Sequence, residues 1–176
     1  MRQLIIDIET TGLNFRLGDR IVELAAVELI DGKLTGRHFH NFINPERPID
    51  SAAIAAHGLT PEFLSDKPRF GDIATELIAF VKGAELIAHN AIFDLGFINN
   101  ELGLVDLGSV NELCPSIIDT LKLAKKLHPK RNNSLSALCS SYGISTSKRN
   151  RHDALVDANL LAELYLAGFA SLRLDL

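Results

Sequence analysis

The chain has 176 residues, 47% hydrophobic and 23% charged, the proportions of one globular domain of ordinary size, which excludes a disordered or fibrous chain. Its apolar runs stop well short of the ~20 residues a membrane-spanning helix needs, and no signal-peptide pattern precedes the first strand-like run, so a cytoplasmic protein with no membrane partner is expected. The formal net charge of −4 argues against a protein that coats nucleic acid, yet eight of the 18 basic residues fall between positions 122 and 151, where there is no Asp or Glu.

Residues 3–9 form a short β-branched run that Thr10-Thr11-Gly12 ends, the pattern of a buried strand entering a turn. Strands over about 20–29 and 36–43 follow, separated by the hairpin signal Asp31-Gly32, and three such neighbours suggest an antiparallel meander. Pro45 and Pro48 end it. Ser51 can cap a short helix over 52–56 that His57-Gly58 closes, and Thr60 with Pro61 opens another. Phe70, Ile73, Leu77, Ile78 and Val81 have helical spacing up to Lys82-Gly83. A fourth strand is expected over 84–89, then a helix from 91 to about 102 with Asn90 as its cap, and a short fifth strand at 117–118. Helices are expected over 120–127, 134–142 and 153–167, with basic surface loops at 130–133 and 145–151. Strands first and then helices alternating with strands describe an α/β domain, a mixed sheet covered on both faces. Cys114 and Cys139 are far apart with no zinc spacing and read as buried thiols.

Asp7 and Glu9 interrupt the apolar first strand at a spacing of two, so both side chains leave the sheet on one face. Two neighbouring carboxylates in a core repel each other and need a cation, which no Lys or Arg of the strand supplies. A divalent metal answers this; an early end to the strand, with Glu9 in water, is the alternative. Asp94 follows the fourth strand between Phe93 and Phe97, where either a ligand role or the helix dipole explains an acid. His152, Asp153 and Asp157 follow the second basic loop, the two acids four apart on one helix face.

The set Asp7-Ile8-Glu9-Thr10-Thr11-Gly12, His89-Asn90 with Phe93-Asp94, and His152 with Asp157 resembles the three motifs of the DEDDh exonucleases, on a ribonuclease H-like fold with a five-stranded mixed sheet. More narrowly, His57-Gly58, residues 63–68, Ser134-Leu135, Ser147-Lys148-Arg149 and residues 162–166 resemble the epsilon proofreading subunits of bacterial DNA polymerase III. The resemblance implies a 3′→5′ exonuclease in which Asp7, Glu9, Asp94 and Asp157 hold two divalent ions, Mg²⁺ or Mn²⁺, and His152 takes the proton of the attacking water. It places Thr10, Thr11, Gly12 and Leu13 around the terminal nucleotide and His57 and Phe93 beside its phosphate or sugar. Lys148, Arg149 and Arg151 are expected on strand phosphates. Asp153 is the rival ligand to Asp157, and Ala52 stands where related proteins often carry a carboxylate near the 3′ end.

The resemblance further implies a single-stranded or frayed 3′ DNA end as substrate and, as partners, the polymerase III catalytic subunit, a small accessory subunit and the sliding clamp. Residues 1–170 form the expected exonuclease domain. Residues 171–176 form a tail whose Ser171, Leu172, Leu174 and Leu176 resemble a clamp-binding peptide, a frayed helix end being the alternative. Epsilon subunits generally continue into a flexible polymerase-binding tail, and the sequence stops before one. Two other functions stay open at this point: a stand-alone exonuclease that trims RNA or oligonucleotides, and an inactive binding module of a replication assembly.

Overall fold

The computed structural model describes residues 1–147 and 149–170. Its sheet has five strands, β1 (Arg2–Thr10), β2 (Ile21–Ile30), β3 (Lys33–Phe42), β4 (Glu85–Ala88) and β5 (Ile117–Asp119), in the order β3-β2-β1-β4-β5. The meander β1-β2-β3 is antiparallel, and β4 and β5 join parallel to β1. Asp31 and Gly32, both at positive φ (50° and 75°), make the tight β2–β3 turn that their sequence signals. The acid-bearing strand is therefore central, and its carboxyl end lies beside that of β4, where sheets of this kind open their sites.

The helices are α1 (Ser51–His57), α2 (Pro61–Leu64), α3 (Phe70–Val81), α4 (Ala91–Leu104), α5 (Val110–Leu113), α6 (Thr120–Leu127), α7 (Leu135–Ser141) and α8 (Ala154–Leu164). A 3₁₀ turn at Phe15–Leu17 and a π-helical turn at Tyr165–Phe169 complete them. The period of two along β1 divides the core between the two faces of the sheet. Leu4, Ile6 and Ile8 pack with Phe70, Leu77, Phe97 and Ile98 of α3 and α4, whereas Ile5 packs with Leu123, Leu138, Ala158 and Leu161 of α6, α7 and α8. Asp7 and Glu9 share the parity of Ile5, so they leave the sheet on the side that α8 covers. Cys114 and Cys139 are free and buried, as expected.

Several local expectations are corrected. Asp50, not Ser51, precedes the first turn of α1, and it makes no side-chain cap bond. Asn90 precedes α4 in a left-handed conformation (φ 78°), so it turns the chain without capping the helix through its side chain. The last helix ends as regular α structure at Leu164. The short α5 and the 3₁₀ turn, four and three residues long, are too brief for periodicity to reveal.

Two buried acids fix the helices that matter for the site. Glu101 takes a bidentate pair from Arg20 (2.7 and 2.8 Å) and the Ile21 N–H (3.1 Å), tying α4 to the start of β2. Glu23 accepts from Ala154 N–H (3.1 Å), the first residue of α8, and pairs with His40 at 2.8 Å. Glu101→Ala would leave Arg20 and a buried N–H without their acceptor. We expect it to lower stability by about 3 kcal/mol, measured by urea unfolding, with Glu101→Gln milder because it keeps an acceptor oxygen.

Candidate active site

Three elements bring four carboxylates together. Asp7 and Glu9 come from the end of β1, Asp94 from the first turn of α4 and Asp157 from the first turn of α8. Asp94 and Asp157 are buried, and Asp7 and Glu9 keep a partly exposed edge. The β1–β2 register shifts between Glu9 and Thr10, a bulge that re-aims the strand just past the acids. Asp7 faces Ala25 and Glu9 faces Glu23 across the ladder, so no cation comes from β2.

Burial sets the protonation of the cluster. Desolvation, reinforced by Asp157 and Glu23, pushes the Glu9 carboxyl up to about 8. Desolvation first, with Asp119 adding to it, also takes Asp94 to about 8. Asp7 rises well above the usual carboxylate range for the same first reason, with Asp94, Glu9 and Asp157 adding repulsion.

His152 lies at the rim, its Nδ1 3.5 Å from Asp157 Oδ2 and 3.9 Å from Glu9 Oε1. Its backbone N–H donates to the Ala56 carbonyl (3.2 Å), which fixes the loop just before α8. Asp153, the alternative ligand, is the N-cap of α8, its Oδ1 accepting from Val156 N–H at 2.9 Å, whereas Asp157 is the acid that clusters with Glu9 and His152. Arg149, expected on substrate phosphates, is instead folded inward, with Nε and Nη2 on the two oxygens of Asp157 at 2.5 and 2.7 Å. The cation that β1 cannot supply thus comes from a distant loop. Arg151 is exposed and lies against Gly58, and Lys148 falls outside the described residues, as do Ser171, Leu172, Leu174 and Leu176.

Two cavities open on these acids, Glu9 and Asp94 lining the first, Asp157 the second and Asp7 both. One, of about 480 Å³, is lined by Asp7, Glu9, Asp94 and His152 together with Leu13, Ala52, Ala56 and Phe93. Leu13 is 84% exposed at its lip. The polar groups expected to meet the nucleotide are mostly engaged within the protein. The Thr10 hydroxyl donates to the Gly12 carbonyl (2.6 Å). Thr11 is wholly buried, its hydroxyl on Asp19 (3.0 Å), so it braces the loop and does not line the cavity. Gly12 is required there, since a Cβ would meet the Asp19 carboxylate at 2.5 Å. His57 does line the cavity, but Nδ1 accepts from Leu59 N–H (3.0 Å), so Nε2 carries the proton and donates to the Thr10 carbonyl (3.2 Å). Burial, opposed by that bond, lowers its pKa and keeps it neutral at pH 7.

Sequence reasoning missed Asp19, which braces the 10–19 loop, and Asp50, which lines the cavity near Ala52 with a carboxylate that caps no helix. The second cavity, about 700 Å³, meets the first at Asp7, His89 and His152 and is bordered by Lys125, Arg131 and Arg149. His89 separates them, held by the Asn133 carbonyl at Nε2 (2.8 Å) and the Thr120 hydroxyl at Nδ1 (2.9 Å).

Residues 4–165 match the model of the exonuclease family described as RNase_T, and the chain belongs to that family. The DNA polymerase III subunit epsilon of Salmonella typhimurium (strain LT2) is 47% identical over 172 residues, covering 94% of this chain and 70% of the relative. The same subunit from Escherichia coli K12 is 45% identical with the same coverage. Among solved structures, exonuclease X in complex with 5′ overhanging duplex DNA is 30% identical, with a TM-score of 0.67 over 94% of this chain and 92% of that one. The nuclease domain of 3′hExo, a DEDDh family member, shares the fold at TM-score 0.80 and 19% identity, covering 97% of this chain and 92% of that one. The activity that goes with this membership is 3′→5′ exonucleolysis, and dependence on a divalent metal goes with the DEDDh type.

The residues fit such a cation. Glu9, His152 and Asp157 each offer a ligand atom, all within 4.8 Å of one another, and Asp7 and Asp94 add hard oxygen donors beside them. With Glu9 and Asp94 raised from the ordinary carboxylate range to about 8, the metal-free fold binds more protons than the unfolded chain between roughly pH 4.5 and 8. Their contribution to stability is therefore present below that window and lost as pH rises through it. The Tm of metal-free protein should fall by several degrees over this range, at about 2–4 °C per kcal/mol for a chain of this size. Glu9→Gln should flatten the fall, and added Mn²⁺ should raise Tm most at the alkaline end. A rising Tm in metal-free buffer would contradict the assignment.

Proposed function

We propose that this exonuclease removes mispaired nucleotides from DNA 3′ ends during replication, as a proofreading subunit working with the polymerase III catalytic subunit. The convergence of four carboxylates and a histidine on the floor between an apolar cavity and a cation-lined one carries the reading. Asp7, Glu9, Asp94 and Asp157 would hold two divalent ions, Mg²⁺ or Mn²⁺. Such a pair supplies electrostatic stabilisation to the attacking and departing oxygens of a phosphodiester.

The chain's own groups divide the remaining work. His152, at the rim and within 3.9 Å of two acids, takes the proton of the attacking water. Leu13, Ala52, Ala56 and Phe93 receive the faces of the terminal nucleoside. Asp50 accepts a hydrogen bond from the terminal 3′-hydroxyl, serving in place of the carboxylate that Ala52 lacks. Strand direction follows from charge. The terminal nucleoside brings only the scissile phosphate, whereas every further phosphate lies upstream, so the cavity with Lys125 and Arg131 takes the upstream strand and the one without Lys or Arg takes the 3′ end. The name of the polymerase III relatives supports the polymerase partner; the clamp contact through Ser171, Leu172, Leu174 and Leu176 and the accessory subunit rest on the sequence resemblance alone.

Gel-resolved digestion of a 5′-labelled single strand, with and without chelator, tests the reading. Asp7→Ala or Asp157→Ala should lower cleavage far more than tenfold while the fold persists; residual activity above a tenth, a loss of only ~1.4 kcal/mol, would overturn the ligand assignment. Faster cleavage of a matched RNA strand than of DNA would favour an RNA-trimming role. For Asp50→Ala we expect about a tenfold loss in kcat/KM on 3′-hydroxyl ends and no change on 3′-deoxy ends. Equal losses on both would remove Asp50 from hydroxyl recognition.

A further inference from the structure

Arg149 has a position unlike that of a surface cation. It sits eight residues before Asp157, in the loop leading to α8, and its side chain is only 13% exposed. Its guanidinium bonds both oxygens of Asp157, at 2.5 and 2.7 Å. The same Nη2 lies 3.0 Å from His152 Nδ1, and Nη1 bonds the Ser136 hydroxyl of α7. One planar fork thus ties the carboxylate, the histidine and a helix of the opposite wall into one unit, a geometry that a lysine cannot reproduce.

A fork of this kind takes a lone pair on each Asp157 oxygen and sets a positive charge within the acid cluster. It also faces the Nδ1 lone pair of His152, the atom that looks toward Glu9 and Asp157. A divalent ion bound to Asp157 would compete for the same lone pairs and stand against that charge. Without Arg149, however, Asp157 would be a buried acid 2% exposed beside Asp7 and Glu9, paired with no Lys or other Arg among the described residues and with only His152 Nδ1, a cation when protonated, at 3.5 Å.

We propose that Arg149 is a positioning residue that acts as the internal counterion of the metal-free enzyme, holding Asp157 and His152 in place and giving up Asp157 when a divalent ion loads. The inference rests on reading Asp157 as a metal ligand. Arg149 already borders the cation-lined cavity, so a strand phosphate there can take the guanidinium that Asp157 gives up. Strand binding then draws Arg149 off Asp157 and favours metal loading, and by linkage metal loading favours the strand to the same degree.

The experiment titrates intact, metal-free protein with Mn²⁺ alone and follows free Mn²⁺ by electron paramagnetic resonance, for wild type, Arg149→Gln and Arg149→Lys. Arg149→Gln should bind Mn²⁺ at least tenfold more tightly. Arg149→Lys should fall between, because it keeps the charge and loses the fork, and it supplies the test if the glutamine variant does not fold. Lys126→Gln, an equal charge change on α6 outside the site, should alter Kd less than twofold. Metal-free Arg149→Gln should melt below wild type, and saturating Mn²⁺ should close most of that gap, which a merely structural arginine would not do. Mn²⁺ binding to the variants no tighter than to wild type overturns the counterion exchange while leaving the metal site standing. Absence of Mn²⁺ binding by wild type and variants alike overturns the metal site and the exchange with it.

Discussion

Mutual repulsion among carboxylates at the end of β1 is the constraint around which the rest of the molecule is arranged. Asp7 and Glu9 leave the central strand on one face, and Asp94 and Asp157 close over them from two helices. A fold that concentrates this much like charge out of water needs relief from every direction. Some of it is positional: both helical acids lie in first turns, where unpaired N–H groups and the helix dipole favour negative charge. Some is protonation, with Glu9 and Asp94 lifted to about 8 chiefly by burial. The rest is the guanidinium of Arg149. The same features make the cluster a strong site for hard cations, because what destabilises the metal-free fold is what an added positive charge relieves.

The supporting residues follow from that constraint. Glu23, a fifth acid directly across the ladder from Glu9, adds to the repulsion that raises Glu9, and it would add more if it were free. Its oxygens are instead turned to His40 and to the first N–H of α8, so it anchors the helix that delivers Asp157. Glu101 does the same for α4 through Arg20 and Ile21 N–H. Each helix that carries a site acid is thus fastened to β2 by another acid, and the position of the cluster depends on the meander being correctly registered.

This explains which parts were legible in the sequence. The strand alternation that puts Asp7 and Glu9 on one face, the Asp31-Gly32 turn and the helical spacing over 70–81 are local, and the sequence states them directly. The motif resemblance located Asp94, His152 and Asp157. What stayed hidden was the partner of each polar group across long separations. Thr11 reads as a pocket residue until Asp19 is seen to hold it from eight residues away. His57 reads as a substrate contact until both its nitrogens are found engaged, one by the Thr10 carbonyl 47 residues earlier. Arg149 reads as a phosphate contact because a basic loop gives no sign of folding back onto an acid. In each case the residue type was informative and its occupant was decided by tertiary contact.

The engagement of these groups bears on specificity. With the Thr10 and Thr11 hydroxyls and both His57 nitrogens bonded within the protein, the apolar cavity offers its occupant mainly Leu13, Ala52, Ala56 and Phe93, with Asp50 at the margin. Such a surface contacts the faces of any base and presents few donors or acceptors to the base edges that carry sequence. Under the proposed reading, a site of this kind cannot recognise a mispair by its chemistry. Its preference for mispaired ends has to come from the DNA, where an unpaired terminal nucleotide requires less free energy to unstack and enter the cavity than a paired one. The loop at 10–19, held by Asp19 on the Thr11 hydroxyl and the Asn14 N–H, presents apolar Leu13 to that cavity, a contact every base can make, which leaves the melting of the end as the step that discriminates.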